Sequence, residues 1–413
     1  MSRAAFIAAL ALVAAGCSEP PVEPVGKVDI TGFSGEELYE ARCESCHSQP
    51  QTKAPTLATM RGLSRAAVQF ALTGGRMKSQ AEGLDFEQLD AVMTHVVGNQ
   101  DSWQPSEQAW CEQRRVASGR AWSAGWGFEP HKTAAVGPQV SAIQRHNVAN
   151  LGLAWAFELP QVTDARSQPV IVGNTLFLAT TSGHLFAIDR ELGCIRWHQA
   201  TAAPLRTSLA YAEPVRGDGT LYVGDAGGFM NAFDTADGSL RWRVDVKVSE
   251  HSMLTGSPVY HDGALLVPVS TMEVILALDP AYECCTSHGA LHRLDAENGD
   301  IRWTLHTTKD ATPRGKTRVG TRRLGPSGAA IWSTPTVDAD RGLVYAGTGQ
   351  NASAPATSWS DAILAVDLDT GEVRWHFQAT AGDTWNSACS AFPKGDNCPQ
   401  WQGPDFDFGA SVI

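Results

Sequence analysis

Residues 43–47, with the sequence Cys-Glu-Ser-Cys-His, have the types and spacing that hold a haem. If this stretch is helical, Cys43 and Cys46 lie at i and i+3 and His47 at i+4, so that one face presents two thiols and an imidazole. Thiols at this spacing form thioether bonds to haem, and the imidazole binds the iron. A zinc site would need a second ligand pair, which the surrounding sequence lacks. We therefore expect a covalently attached haem c, with His47 as an iron ligand.

A sixth iron ligand is expected some tens of residues later, where three methionines occur. Met93 belongs to an amphipathic segment, whose apolar face indicates packing. Met77 lies in "LTGGRMKSQ", a glycine-containing loop between helical stretches. The segment resembles the class I c-type cytochromes, which offer their methionine from such a loop, so we predict Met77 as the ligand and keep Met60 as the alternative. A His–Met pair raises the reduction potential and suits electron acceptance from an organic reductant.

A helical unit is needed to position these ligands. Residues 35–100 contain helix-start residues and the apolar spacing of helices. Ser34 is a candidate N-cap, with Glu36 and Glu37 following in the first turn. The stretch "LDFEQLDAVMTHVVGN" has the apolar spacing of a closing helix. We expect a small all-α cytochrome domain here, followed by a Trp-rich linker at 101–140.

The N-terminal residues indicate export. Arg3 precedes an apolar run of about a dozen residues, which is too short to span a bilayer and is typical of a cleaved signal. The ending "LVAAGC" resembles a bacterial lipoprotein cleavage box, so we predict a lipoprotein signal at 1–17 with Cys17 lipidated, and an ordinary signal peptide as the alternative. Ser18 favours the outer membrane, and the Pro- and Glu-rich linker 18–34 is typical of an extended tether. We expect a chain on the periplasmic face that contacts the membrane through its lipid.

Composition excludes some functions and limits others. The chain has 413 residues, a net charge of −12 and no evident basic stripe, so we expect no nucleic-acid partner. With Cys17 assigned to lipid and two cysteines to haem, six of the nine cysteines remain, an even number that suggests disulfides in an exported protein. Cys389 and Cys398 are near enough to close a small loop. The adjacent Cys284 and Cys285 could pair with each other or elsewhere.

Beyond residue 140 the chain repeats an Asp followed by Gly four residues later and Trp eight residues later. The copies are Asp189/Gly193/Trp197, Asp234/Gly238/Trp242, Asp295/Gly299/Trp303 and Asp367/Gly371/Trp375. We expect a strand to end at each Asp, the Gly to be left-handed, and the Trp to anchor the next strand between sheets. A proline and two apolar stretches precede the copies, at Pro169, Pro214, Pro258 and Pro335. Trp155 is predicted to mark the outer strand of the opening blade.

Units of about four short strands build a β-propeller, so residues 141–413 are predicted as a propeller domain. The repeat, together with "IWSTPTVDADRGLVYAGTG", resembles the pyrroloquinoline quinone (PQQ) dehydrogenases. The stretches "YECCTSHG", "GPSGAAIWSTPTVD" and "GPDFDFGAS" point more narrowly to members similar to polyvinyl alcohol dehydrogenases. The resemblance covers residues 35–413 and implies an eight-bladed, mainly β fold that holds PQQ and a calcium ion. Because four repeats and part of a fifth blade are visible, we expect a truncated chain with about half of such a propeller.

The resemblance also implies cofactor-binding residues. Trp332 matches the tryptophan on which PQQ stacks, and Arg206 matches an arginine that contacts the quinone, with a structural role as its alternative. Glu273 matches the family's calcium-binding glutamate. Gln350 stands where many relatives have an asparagine ligand, so Asn351 could substitute for it.

The catalytic base is where this chain departs from the pattern. Asn386, in "GDTWNSAC", stands where alcohol dehydrogenases of this class place an aspartate. An amide cannot accept the hydroxyl proton, so we predict that Asp383 takes the role or that the metal site is remodelled around Asn386.

These observations predict PQQ- and haem c-dependent oxidation of an alcohol, such as polyvinyl alcohol or another secondary alcohol. Electrons would pass from PQQ to the N-terminal haem and then to a periplasmic acceptor. One alternative is an electron-carrier lipoprotein with a degenerate, non-catalytic propeller. Another is a propeller that serves only as a binding surface, against which the haem argues because a scaffold has no use for a redox centre.

Overall fold

The computed structural model describes residues 32–49, 54–61, 63, 65–73, 77–97, 105–117, 119–135, 141–159, 162, 165–201, 203–214 and 217–413. Cys17 and the tether up to residue 31 lie outside these residues, so the lipid anchor stays a prediction. Across the described ranges, no helix has both the length and the apolar character needed to cross a membrane.

Among the described residues, five short α-helices lie in the N-terminal unit and a sixth lies within the propeller. They are α1 Gly35–Arg42, α2 Glu44–His47, α3 Leu57–Met60, α4 Arg65–Thr73, α5 Phe86–Val97 and α6 Glu273–Leu276. Ser34 caps α1 as predicted: Glu37 N donates to its Oγ at 3.3 Å, and Ser34 N donates to the Glu37 carboxylate at 2.7 Å. Cys43 separates α1 from α2, so the haem motif consists of this capping residue and the whole of α2. Met93 is buried in the core of this unit, as its amphipathic setting predicted.

Four antiparallel sheets follow among the described residues, each built from strands that are close together in sequence. Blade 1 contains β1 Ala121–Ser123, β2 Val170–Val172, β3 Thr175–Ala179, β4 His184–Asp189 and β5 Ile195–Ala200. Blade 2 contains β6 Ala210–Ala212, β7 Thr220–Gly224, β8 Phe229–Asp234 and β9 Leu240–Asp245. Blade 3 contains β10 Ser252–Met253, β11 Val259–His261, β12 Ala264–Thr271, β13 Ala290–Asp295 and β14 Ile301–His306. Blade 4 contains β18 Thr336–Asp338, β19 Leu343–Gly347, β21 Ala362–Asp367 and β22 Val373–Gln378.

Two further sheets have two strands each: the first falls between blades 3 and 4 in sequence, and the second pairs a strand that precedes blade 4 with a strand inside it. β15 Thr312–Lys316 pairs with β16 Arg322–Gly325, and β17 Ser327–Gly328 pairs with β20 Asn351–Ser353. Apolar side chains of neighbouring blades interdigitate, for example between blades 3 and 4, where Leu266, Leu291, Val344 and Leu364 share one buried cluster. The core therefore lies between the sheets, as a propeller requires.

The repeated Asp closes the turn between the two outer strands of each blade. In blade 1, Asp189 Oδ1 accepts hydrogen bonds from Glu191 N and Leu192 N at 2.9 Å. All four repeat glycines are left-handed, with φ between +71° and +79°. The structure adds a regularity that the sequence pattern missed: an arginine just before each Trp forms an ion pair with the Asp at 2.5–2.8 Å. The pairs are Asp189–Arg196, Asp234–Arg241, Asp295–Arg302 and Asp367–Arg374.

Each docked tryptophan lies on the glycine of the following blade. The indole N–H donates to the carbonyl of the residue after that blade's Asp at 2.9–3.2 Å, in the pairs Trp155–Arg190, Trp197–Thr235, Trp242–Ala296 and Trp303–Leu368. A Cβ on Gly238 would lie 2.6 Å from Trp197 Cε3, so this face admits only glycine. Residues 151–159 form no strand around Trp155, although its indole docks on blade 1 as the others do.

Gly238→Ala is expected to destabilise the propeller by about 2–4 kcal/mol. The left-handed φ costs about 1–2 kcal/mol for alanine, and the clash with the Trp197 ring adds a similar amount. Gly217→Ala is the matched control, because Gly217 has φ +79° and nothing within 4 Å of a Cβ. Urea denaturation would measure both variants, and equal losses of stability would contradict the docking argument.

Proline placement agrees with prediction in three blades and fails in one. Pro169, Pro258 and Pro335 directly precede inner strands, but in blade 2 that place belongs to Leu209. Pro214 instead follows β6, so its assignment is wrong. Proline is compatible with either end of a short inner strand because it leaves no ladder hydrogen bond unmade there.

The six remaining cysteines form three disulfides: Cys111–Cys194, Cys284–Cys285 and Cys389–Cys398. The first ties the segment before the propeller to the outer turn of blade 1. Cys43 and Cys46 are the cysteines of the described residues that stay outside disulfides, as haem attachment requires.

Candidate functional site

Hydrogen bonds join the inner ends of the blades around the propeller axis. Gln168 N donates to Ser208 Oγ at 2.7 Å, Ser208 N to Ser257 Oγ at 2.9 Å, and Ser257 N to Thr334 Oγ1 at 3.0 Å. Each of these residues comes just before an inner strand, so the same position in successive blades supplies donor and acceptor. We call this set the axial hydroxyl chain.

A cavity of about 530 Å³ lies against the axial hydroxyl chain. Its walls come from the inner ends of the blades, from residues of the segment 126–134 before the first inner strand, and from residues of the segment 409–413. Cavities of a few hundred Å³ are the usual size of small-molecule sites.

Trp332 and Arg206, far apart in sequence, both line this cavity. The Trp332 indole is half-buried, and its N–H donates to the Asp407 carboxylate. Gly409 packs against the ring, because a Cβ there would lie 2.4 Å from Trp332 Cη2. The indole is therefore fixed at its edge and provides a flat wall for a ligand.

The charged side chains around the cavity are all basic. Among the described residues, its lining contains Lys132, Arg166 and Arg206 and no acidic side chain. Cations recognise carboxylate or phosphate groups, and a tryptophan face recognises a planar ring. The donor set fits PQQ, a planar quinone with three carboxylates.

Glu273 lies in a different layer and is fully buried. Its carboxylate accepts hydrogen bonds from Ser287 N at 2.5 Å, Thr286 N at 2.8 and 2.9 Å, and the Tyr282 hydroxyl at 3.0 Å. Burial, followed by the adjacent Glu273, raises the pKa of Tyr282. The buried negative charge is thus satisfied by donors from the segment around Cys284 and Cys285.

The other predicted calcium ligands are also engaged. Asn351 accepts from Thr357 N at 2.6 Å and donates to Ser327 O at 2.8 Å, and Gln350 Nε2 donates to Asp405 at 2.9 Å. No group of three or more His, Cys, Asp or Glu side chains in the described ranges is arranged to hold a metal ion. These donor sets do not fit a calcium ion as they stand, so its placement stays a prediction and no step below is routed through it.

The predicted catalytic residues, Asp383 and Asn386, are both fully buried and neither lines the cavity. Asp383 accepts from Asp405 N at 3.3 Å and Phe406 N at 3.0 Å. Asn386 accepts from Ala388 N at 3.0 Å and donates to two main-chain carbonyls at 2.9 Å. Their catalytic roles stay predictions.

Sequence reasoning missed a cluster of carboxylates beside Trp332, formed by Asp361, Asp383, Asp405 and Asp407. Asp361 is 1% exposed, and neither of its carboxylate oxygens has a hydrogen-bond partner in the described structure. Burial, followed by the charges of Asp383, Asp407 and Asp405, raises the pKa of Asp361 to about 7. Reduced hydration, opposed by the hydrogen bond from Trp332, raises the pKa of Asp407 to about 6, although that residue as a whole is exposed. Nothing in the sequence signals this cluster, because its members come from three segments of the chain, around residues 361, 383 and 405–407.

Asp361→Asn is expected to stabilise the chain at pH 8 and to change its stability little at pH 4. A carboxyl whose pKa is raised in the folded chain disfavours folding once it is ionised. Some stability of the chain is therefore lost as pH rises from about 4 to about 7. The shift corresponds to about 4 kcal/mol at most. Asparagine suits the site because Asp361 has φ +46°. Melting temperatures across pH would test this, with exposed Asp340→Asn as control; an equal effect at both pH values would contradict it.

The predicted haem ligands lie within the N-terminal helical unit. His47 is buried, and its Nδ1 hydrogen-bonds Pro55 O at 2.6 Å, which leaves Nε2 for a metal. Met77 is partly buried against the core of the unit and lines a second cavity, of about 880 Å³, together with Tyr282 and His251 of the propeller. Met60 is 8% exposed and packs in that core. Lys78 forms an ion pair with Glu250 across the same junction.

Comparisons with known proteins agree with this architecture. Residues 138–395 match the family described as PQQ, glucose/ethanol/alcohol dehydrogenase, beta-propeller domain. The chain is 31% identical to a polyvinylalcohol dehydrogenase from Pseudomonas sp over 100% of this chain and 66% of that protein. It is 32% identical to a polyvinylalcohol dehydrogenase from Sphingopyxis sp. (strain 113P3), over 92% of this chain and 61% of that protein. The chain thus spans about two thirds of the length of these relatives.

A solved structure shares the fold. The quinohemoprotein alcohol dehydrogenase from Comamonas testosteroni matches with a TM-score of 0.51 and 22% identity, over 64% of this chain and 42% of that one. The axial cavity with its tryptophan wall and the family match across all four blades lead to one conclusion: the chain belongs to the PQQ-dependent alcohol dehydrogenase family and has its β-propeller fold.

Proposed function

We propose that this protein oxidises an alcohol with PQQ held in the axial cavity and passes the electrons to haem c bound at Cys43 and Cys46. The observation that supports it most is the cavity itself, in which Trp332 and basic side chains converge with no acidic side chain among the described lining residues. The relatives named polyvinylalcohol dehydrogenase favour a secondary alcohol, including polyvinyl alcohol, as substrate.

Bound PQQ would supply the two-electron chemistry, accepting hydride from the alcohol carbon. The chain's own residues bind and orient it. The Trp332 indole, held by Asp407 and Gly409, would stack on the planar ring, and Arg206 would contact its polar edge. The walls from segments 126–134 and 409–413 would limit the access of water to the reacting carbon.

Removal of the hydroxyl proton needs a carboxylate. Asp383 remains our proposed acceptor, and because it is fully buried and does not line the axial cavity, the proton would have to reach it through a neighbouring group. The hydrogen bonds from Asp405 N and Phe406 N fix the orientation of its carboxylate. Each alcohol gives up two electrons and two protons, whereas a haem iron takes one electron at a time. A periplasmic electron acceptor must therefore reoxidise the haem between the two transfers.

The junction between the helical unit and the propeller suits such a transfer. Met77, the proposed sixth iron ligand, and Tyr282 border the same cavity, and the Lys78–Glu250 ion pair holds the two units together there. A lipid on Cys17 would keep this assembly at the periplasmic face of the outer membrane.

Reconstitution tests the proposal. The full chain, matured with haem, is mixed with PQQ, with and without calcium, and with polyvinyl alcohol or a small secondary alcohol, while the haem absorption spectrum is followed. We expect reduction of the haem only when both PQQ and alcohol are present. A haem that dithionite reduces but alcohol with PQQ does not would leave the electron-carrier alternative and overturn the enzymatic proposal.

A further inference from the structure

Lys132 is a buried cation without a counter-charge. Its side chain lines the axial cavity, yet the residue is only 4% exposed. The ammonium donates one hydrogen bond, to Trp126 O at 2.8 Å, and no carboxylate of the described residues forms an ion pair with it. A buried ammonium that is left unpaired costs several kcal/mol in a typical protein.

The segment that carries Lys132 has an unusual backbone. Phe128, Lys132 and Ala134 have φ of +71°, +58° and +50°, values that residues with a Cβ seldom adopt. Gly127, with φ +72°, lies so close that a Cβ there would be 3.0 Å from Lys132 Cδ. Backbone strain concentrated in a cavity wall is typical of segments that hold a functional group in place.

The charged side chains that face Lys132 favour the binding of an anion beside it. Glu129 lies on the same segment, where its charge favours the protonated amine without forming an ion pair with it. Across the cavity the charged lining residues are Arg166 and Arg206. An anionic ligand in the cavity would be attracted by all three basic side chains.

We infer that Lys132 binds a carboxylate of the ligand in the axial cavity and so is a cofactor-binding residue. The inference rests on the proposed function and extends it, since the resemblance of the sequence to the family assigned no role to this residue. In the absence of ligand the Trp126 carbonyl holds the amine. When a planar tricarboxylate enters, the amine gains the counter-charge that the fold does not supply.

Two effects of opposite sign separate this role from a structural one. Burial lowers the pKa of Lys132 to about 8, so removing the amine should raise the melting temperature of the ligand-free chain. The same change should weaken PQQ binding by about 10- to 100-fold, the effect of one charge-assisted hydrogen bond. A purely structural lysine would lower both stability and binding.

The experiment uses the full haem-loaded chain and its Lys132→Met, Lys132→Arg and Lys316→Met variants, the last at an exposed lysine of β15. PQQ affinity is measured by quenching of tryptophan fluorescence, and proton uptake by calorimetry near pH 8.5 in buffers of different ionisation enthalpy. We expect Lys132→Met to bind weakly and to lose the proton uptake of the unaltered chain. Lys132→Arg should keep most of the affinity, and Lys316→Met all of it.

A second probe separates this inference from the proposed function. Benzene-1,3,5-tricarboxylate has the anionic groups of PQQ but no quinone. If the unaltered chain and Lys132→Met bind both probes equally well, the role of Lys132 is overturned while PQQ binding stands. If the chain binds the tricarboxylate through Lys132 but not PQQ, the anion site stands and the proposed function fails. Binding of neither probe overturns both.

Discussion

Trp332→Ala is expected to weaken PQQ binding by about 100-fold and to abolish PQQ-dependent haem reduction at micromolar PQQ. The indole supplies the flat wall of the axial cavity, and removing such a buried aromatic contact costs about 3 kcal/mol in a typical binding site. Trp332→Phe should recover part of the affinity, because a smaller ring still stacks. It cannot donate to Asp407 as the indole does.

Fluorescence quenching or equilibrium dialysis with PQQ would measure this effect. Trp401→Ala is the matched control, since Trp401 is 82% exposed and does not line the cavity. Melting curves of each variant show whether the ligand-free fold survives. PQQ affinity that is unchanged in a folded Trp332→Ala protein would contradict the cavity as the cofactor site.

Replacing Cys43 and Cys46 by serine is expected to remove covalent haem completely. Both thiols are outside disulfides, and the helical unit presents His47 with its Nδ1 engaged by Pro55 O. Without thioether bonds the haem dissociates on denaturation, so haem staining after denaturing electrophoresis should disappear. The propeller should still fold and bind PQQ, because the helical unit that carries the cysteines has a hydrophobic core of its own.

Single substitutions in the haem-loaded chain distinguish Met77 from Met60 as the sixth iron ligand. Met77→Ala should eliminate the methionine–iron charge-transfer absorption and lower the reduction potential of the haem. Met60→Ala should keep that absorption but destabilise the helical unit, because Met60 is buried in its core. Persistence of haem staining in the serine variant, or loss of the absorption in Met60→Ala alone, would contradict the respective assignment.

The propeller could be predicted from sequence because the residues that form each blade's outer turn are close together in the chain. Asp189, Gly193 and Trp197 are close in the chain, and the contacts that they make within the turn depend on neighbours in sequence. The ion pair with Arg196 was readable in the same way and was overlooked. Pro214 was misassigned because a short inner strand accommodates proline at either end.

The site was harder to predict because it depends on contacts between distant segments. Trp332 and Arg206 were identified only through the family resemblance, and the structure places both in one cavity. Lys132 lies in the stretch predicted as a linker, and the burial of a single charged residue cannot be read from sequence. The burial of the Asp361 carboxyl without a hydrogen-bond partner could not be predicted for the same reason.

The axial hydroxyl chain has a consequence for how such proteins diversify. Two kinds of contact join adjacent blades. At the axis one hydroxyl accepts a hydrogen bond from the next blade, as between Ser257 and Ser208. Farther out one indole packs on a glycine, as between Trp197 and Gly238. Neither contact involves the long insertions, such as the β15–β16 hairpin between blades 3 and 4. Selection can therefore lengthen or exchange these insertions without altering the angle between blades. New substrate preferences become accessible by loop replacement while the cofactor geometry is inherited unchanged.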